Sequence, residues 1–321
     1  MARSLKVLLV AEEAAGVQIL RLLAESPHHI AGVVTASGSS MGSGATVATV
    51  ASRFGIPVWT PRHIKEMALA EWVRREGIDL LLNVHALHVL PPVLVAAPRI
   101  GSFNLHPGPL PAYAGLNAPS WAIYHGERTH AVTVHWMDQG IDTGSIAYEA
   151  LVEISEDDTG FSLTAKCVRA GLPLLQALLT AAANGTVPQW PQQQGIRRYY
   201  GREVPQGGRI DWTKPAARII DFIRASDYAP FRSPWGHPAA SIGGRELAVL
   251  KALRTIEPCT DMPGRVGRQI GDDILVAAMD HWVQVRRVRI GASVLPAGQV
   301  LQPGEQFDLP HDLEESSVAA R

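Results

Sequence analysis

The stretch FNLHPGPLPAYAGLNAPSWAIYHGE, residues 103–127, decides how the rest of the chain is read. It opens with the make-up of a buried strand and runs straight into turn-formers. Pro107, Gly108, Pro109 and Pro111 cannot continue a sheet ladder, so that strand must end at His106. Side chains alternate between the faces of a strand, which puts Asn104 and His106 beside each other on one face at the strand's end. In an open α/β sheet that is where ligands bind. An amide there can donate to a developing oxyanion, and an imidazole can move a proton. On its own the pair equally fits a capped strand with a hydrogen-bonded core histidine.

A second stretch, HAVTVHWMDQGIDTGSIAYE at residues 130–149, reads as strand, tight loop, strand. Val132, Val134 and Trp136 share one face, and Asp138, Gln139 and Gly140 make the turn. Asp142 lies in that loop. Brought near His106, its carboxylate would orient the imidazole and raise its pKa. Taken alone, Asp142 also fits a turn-former whose side chain bonds its own backbone.

Together the two stretches spell N-x-H-P-x-x-L-P-x-Y followed by M-D-x-G-x-D-T-G. This resembles the folate-dependent formyltransferases, which include enzymes acting on methionyl-tRNA, glycinamide ribonucleotide and sugar amines. The resemblance extends from about Lys6 to the region of Arg289. It implies a Rossmann-like, mostly parallel α/β sheet with a smaller C-terminal OB-like β-barrel domain. It implies a catalytic trio at Asn104, His106 and Asp142, with 10-formyltetrahydrofolate as co-substrate and no metal. In that chemistry Asn104 donates to the formyl oxygen. His106 shares that task if protonated, or takes the amine's proton if neutral. The loop Leu87, His88, Val89 and Leu90 would wrap the pterin ring. Gly108, Pro109, Leu110 and Pro111, with Asp138, Gln139, Gly140 and Ile141, would shape the folate's seat.

Working outward, residues 5–10 form an apolar run suited to a parallel strand, followed by a helix carrying Ile19, Leu22 and Leu23 and a strand over residues 29–35. The first turn, AEEAAG at residues 11–16, lacks the glycines a pyrophosphate needs and carries two acids, which excludes a dinucleotide site. A strand at residues 79–84 leads into His85 and His88, which have no third metal ligand nearby. Domains are expected at 1–185 (catalytic) and 209–300 (OB-like), with a linker at 186–208 and a tail at 301–321 that frays. Trp121 and Tyr124 are expected in the core or a pocket wall.

Formal net charge is −1, so no basic field points to nucleic acid. No apolar run is long enough for a bilayer. Cys167 and Cys259 follow no metal or redox spacing, which fits a reducing, cytoplasmic setting. The loop at residues 36–44 carries no Lys or Arg, whereas the tRNA enzymes of the resembled family carry a longer, basic insertion there. The expected acceptor is therefore a small-molecule amine, free or carrier-tethered. It is expected to be amino-acid-derived or a sugar, leaning to the former, and Arg232 or Arg202 could meet a carboxylate or phosphate on it. The alternatives that share the trio are a methionyl-tRNA formyltransferase and a 10-formyltetrahydrofolate hydrolase, and a degenerate folate-binding protein is the non-enzymatic one.

Overall fold

The computed structural model describes residues 3–36, 45–193 and 195–309. The uncharged 36–44 loop beyond Ala36 and most of the expected tail lie outside them. The chain divides into two compact units. One takes the chain up to Ala118, with Thr129–Glu153 and Thr164–Gly201; the other takes Pro119–Arg128, Ile154–Leu163 and the chain from Arg202 on.

In the first unit the apolar runs become β1 (Lys6–Ala11), β2 (His29–Val34), β3 (Val58–Trp59), β4 (Leu80–Val84) and β5 (Gly101–His106). Then come the short β6 (Ala114–Gly115) and the long pair β7 (Thr129–Trp136) and β8 (Ile146–Glu153). The main sheet has the order β3-β2-β1-β4-β5-β7-β8. Its first five strands run parallel, and β7 and β8 run antiparallel. Helices α1 (Glu13–Ala24), α2 (Val47–Arg53), α3 (Met67–Arg75) and α4 (Pro92–Val95) connect the parallel strands. A 3-10 turn at Pro61–Lys65 precedes α3. On one face, Leu8, Val10 and Leu81 of the sheet pack with Ile64, Val73 and Leu94.

α5 (Ala118–His125) follows Asn117, whose φ of +56° sets the turn into it. α6 (Gly160–Asn184) passes beside β5, and Gly171 allows the approach: a Cβ there would lie 2.8 Å from a Leu105 methyl. The segment expected as a linker contains β9 (Tyr199–Tyr200), which pairs in parallel with β6.

The second unit holds α7 (Ala216–Ala225) and the strands β10 (Ala239–Ile242), β11 (Arg245–Pro258), β12 (Val266–Ile270), β13 (Asp273–Ala277), β14 (His281–Ile290) and β15 (Ser293–Pro296). They form an antiparallel sheet of order β10-β11-β14-β13-β12, with β15 on β14. Its core gathers Trp212, Ile219, Ile223, Val249 and Phe307. Trp121 and Tyr124 also belong here: Trp121 packs edge-on to Trp235 at 4.9 Å and Tyr124 to Phe222 at 5.7 Å. Among the described residues no helix is long and apolar enough to cross a membrane.

Leu9 is fully buried in β1, whereas Leu151 of β8 is 81% exposed. Leu9→Ala should therefore lower unfolding stability by about 2–5 kcal/mol. Leu151→Ala should stay within about 0.5 kcal/mol of the parent. Urea unfolding of the two variants checks both.

Candidate functional site

β5 turns Leu105 toward α6 and carries Asn104 and His106 on its other face. Strand register extends that polar face sideways. Asn104 lies beside Asn83 of β4 on one side and His135 of β7 on the other, and His106 lies opposite Thr133. Asp142 reaches the same row from the loop between β7 and β8, so the three candidate residues come together.

The Asp142 carboxylate is buried and its backbone sits at φ +53°. Oδ2 accepts the Gly115 N–H at 2.8 Å, and Oδ1 accepts from Asn104 Nδ2 at 3.3 Å. His106 Nδ1 lies 3.6 Å from Oδ2, and His135 Nε2 lies 3.3 Å from Oδ1. Burial alone pushes this carboxyl up. The flanking His106 and His135 and the Gly115 N–H outweigh that, holding Asp142 well below the usual carboxylate range.

His106 departs from the expectation of a raised pKa. Burial is the dominant influence and lowers it, and Asp142 and the Tyr113 carbonyl only partly offset this. A fully enclosed imidazole loses more hydration on charging than one carboxylate at 3.6 Å returns. His106 is therefore neutral near pH 7. Its Nε2–H donates to the Tyr113 carbonyl at 2.6 Å, which leaves the lone pair on Nδ1, on the Asp142 side. His135 donates from Nδ1 to the Trp136 carbonyl at 2.7 Å. Its Nε2 is 3.1 Å from Asn104 Nδ2 and accepts that amide's N–H. With its Nδ1 proton on that carbonyl, the ring accepts the amide at Nε2, and Asp142 Oδ1 lies 3.3 Å from the same nitrogen.

Two clamps hold the loops that bear these groups. His130 Nε2–H donates to the Pro107 carbonyl at 2.9 Å, and the Thr133 hydroxyl donates to that of Gly108 at 2.8 Å. On the other side, Gln192 donates to the carbonyls of Asp142 and Gly144 at 2.9 and 2.8 Å, and Arg197 to that of Ile141 at 2.8 Å. Within the loop, Asp138 accepts the Gly140 N–H at 3.0 Å and the Thr143 hydroxyl at 2.5 Å. Gly144 has no room for a side chain, because a Cβ would run into the Trp136 carbonyl.

Of the residues expected around a folate, Gly108 lies against the histidine: a Cβ there would be 3.0 Å from His106 Nε2. Leu110 is buried, and Pro109 and Pro111 are half-buried. Leu87 and Val89 are 77% and 70% exposed and His88 is exposed, whereas Leu90 packs into the core beside Leu94. Gln139, Gly140 and Ile141 are exposed. Arg202 and Arg232 are exposed on the second unit. Among the described residues no group of three or more His, Cys, Asp or Glu is placed to hold a metal ion.

The sequence reading missed Asn83, His130, Thr133, His135, Gln192 and Arg197. For His135 and Thr133 a signal existed, since strand alternation sets them opposite Val132, Val134 and Trp136. Nothing local marks Gln192 or Arg197, which lie in a segment of linker-like composition.

Comparison with known proteins adds a family. A formyl transferase family model matches residues 6–178, and a model of the formyl transferase C-terminal domain matches residues 204–302. Among solved structures, the chain is similar to WlaRD, a sugar 3N-formyl transferase studied in the presence of dTDP and 5-N-formyl-THF. The TM-score is 0.68 at 18% identity, over 88% of this chain and 97% of that one. An N-formyltransferase from Helicobacter canadensis, in complex with folinic acid and dTDP-3-aminofucose, gives 0.67 at 19%, over 88% and 99%. HypX from Aquifex aeolicus gives 0.65 at 18% over 93% of this chain, which spans 49% of that one. At these identities the likeness concerns the fold.

The buried imidazole that clamps the turn makes stability depend on pH. Burial lowers the His130 pKa from 6.5 to about 4. Between those values the unfolded chain binds the extra proton, so stability is full above pH 6.5 and falls as pH drops toward 4. The loss should reach roughly 3 kcal/mol. Urea unfolding at pH 7.5 and pH 4 should show that the wild type loses more than His130→Gln by about this amount.

Proposed function

The chain belongs to the formyl transferase family, and from that premise we propose that it moves the formyl group of 10-formyltetrahydrofolate onto the amine of a small-molecule acceptor. The observation that carries this is the joining of Asn104, His106 and Asp142 through one buried carboxylate. The co-substrate, when bound, supplies a formyl group already activated by its tertiary aryl nitrogen. Uncovered apolar side chains support a seat for its ring system: Leu87, Val89 and Ile141 stand exposed on loops expected to line it.

Asn104 is the donor to the formyl oxygen. Its N–H toward Asp142 is held only at 3.3 Å, a bond that a developing oxyanion can replace. Neutral His106 takes the amine's proton at Nδ1 as the new C–N bond forms, and would return it to the folate nitrogen when the bond from that nitrogen to the formyl carbon breaks. The resulting imidazolium then donates Nε2–H to the Tyr113 carbonyl and has the ionised Asp142 as counter-ion, 3.6 Å from Nδ1. Asp142 thus stabilises the charge that forms on His106 during transfer, while the Gly115 N–H keeps the carboxylate in place.

An amino sugar is the acceptor class with most support, since WlaRD and the Helicobacter canadensis enzyme are described with a sugar or a sugar nucleotide. The net charge of −1 argues against a tRNA acceptor. The C-terminal unit is proposed to close as an OB-like barrel. Its edge strands support this: Ile242 at the end of β10 and Arg265 just before β12 bridge to the adjacent residues Phe307 and Gln306. The domain limits 1–185 and 209–300 are kept as proposals. A reducing, cytoplasmic setting fits Cys167 and Cys259, both buried and neither in a disulfide.

The test incubates the protein with 10-formyltetrahydrofolate and nucleotide-linked amino sugars, ornithine-type amines and methionyl-tRNA, and follows formyl mass gain. Gain on a small amine is expected; salt-sensitive formylation of the tRNA, or formate release without any acceptor, overturns the assignment. Asn104→Ala should lower kcat by about 10²–10³-fold. His106→Ala should lose transfer while keeping its circular dichroism. Because burial lowers the His106 pKa, the neutral base persists at and above pH 6.5, and kcat/KM should show its acid limb below that pH.

A further inference from the structure

Hydrogen bonds run one way across three neighbouring strands, starting from a residue the reaction above does not use. Asn83 Nδ2 donates to Asn104 Oδ1 at 2.9 Å. Asn104 Nδ2 donates to His135 Nε2 at 3.1 Å, and His135 Nδ1 donates to the Trp136 carbonyl at 2.7 Å. Asn83 is the one polar residue of β4, whose sequence is LLLNV, and it is only 8% exposed. Its own Oδ1 is buried without a hydrogen-bond partner. A buried, unsatisfied amide oxygen lowers stability, and a leucine at this position would avoid that cost. The donor end of the amide is what a leucine cannot provide.

A side-chain amide can present either end to a neighbour, because turning it by half a rotation exchanges oxygen for nitrogen in nearly the same volume. Turned that way, Asn104 would offer a carbonyl to His135 and to the Asp142 carboxylate, and its N–H groups would point back into β4. The Asn83 N–H opposes that orientation. We propose that Asn83 is a positioning residue for formyl transfer: by donating to Asn104 Oδ1, it keeps the N–H end of the Asn104 amide facing Asp142 and His135. This rests on Asn104 being the donor to the formyl oxygen. Register supplies the means, since Asn83, Asn104 and His135 are directly paired across β4, β5 and β7. The same donation selects the His135 tautomer, because a ring that accepts at Nε2 must carry its proton on Nδ1.

Asn83→Leu keeps the branched heavy-atom skeleton of the side chain and removes the donor. With the formyl donor and an accepted amine, kcat should fall by about 10–100-fold, part of the loss expected for a missing oxyanion donor. KM for the formyl donor should change by less than about threefold, since ground-state binding does not use this amide. In an Asn104→Ala background the same substitution should change kcat by less than about twofold, because its partner is gone. Equal losses in both backgrounds, or no loss in either, overturn the proposal. A second measurement needs no turnover: ¹⁵N spectra of the histidine rings, with His135 identified by its absence in His135→Gln. The wild type should show His135 protonated at Nδ1 and accepting at Nε2, and Asn83→Leu should show a mixture of tautomers. An unchanged His135 signal overturns the proposal even if the wild type transfers no formyl group, an outcome that would separately sink the functional assignment. If Asn83→Leu does not fold, Asn83→Thr retains a hydroxyl donor and should keep the wild-type tautomer. Losing that tautomer in folded Asn83→Thr counts against the proposal.

Discussion

The Asp142 carboxylate is a buried negative charge, and much of the unit around it is arranged so that this charge can exist. An ion taken out of water must be met by donors or opposite charge, or it takes up a proton. Here the Gly115 N–H and the Asn104 amide meet it, and two imidazoles lie close by. Meeting it sets demands on the backbone. Asp142 itself adopts a left-handed conformation, sparsely populated by residues other than glycine. Gly115, at φ +95°, passes so close to the Tyr200 carbonyl that a side chain there would collide with it. The short β6–β9 pairing, the turn after β5 and the loop after β7 are thus tied to one carboxylate.

Because one strand turns Leu105 to α6 and Asn104 and His106 to the opposite side, β5 has two dissimilar faces. The helix side can be packed by shape alone. The site side must also match donors to acceptors, and two neutral histidines take part in that. His106 and His130 both have lowered pKa values with burial as the leading cause, and each donates its Nε2–H to a carbonyl of the turn-bearing stretch. A neutral imidazole with one nitrogen committed to a carbonyl has a defined tautomer. That definition leaves His106 Nδ1 able to accept a proton and gives the resulting cation a counter-ion already in place.

The clamps on the loops explain how a site at the end of a central strand stays ordered. Gln192 and Arg197 hold the loop through its main-chain carbonyls, so they fix where it runs while leaving the Asp142 carboxylate to interact inward. His130 and Thr133 do the same for the turn after His106. A segment with the composition of a linker therefore acts as a brace. Composition reports average solvation, whereas bracing depends on which carbonyls the folded chain brings within reach.

Several features were settled by sequence alone, because their causes lie within a few residues of each other. Alternation and the proline run end β5 at His106 and put Asn104 and His106 on one face. Apolar runs mark β1 and β4, the missing glycines after β1 exclude a pyrophosphate turn, and two ordered motifs join Asp142 to the pair. Other features needed the tertiary structure, because they depend on groups far apart in the chain. The pairing of Asn83, Asn104 and His135 needs three strands in register. The length of β11 and the presence of β15 depend on partners across the second sheet. The direction of the His106 pKa turns on burial against one carboxylate, and no sequence pattern states how much water a side chain loses on folding.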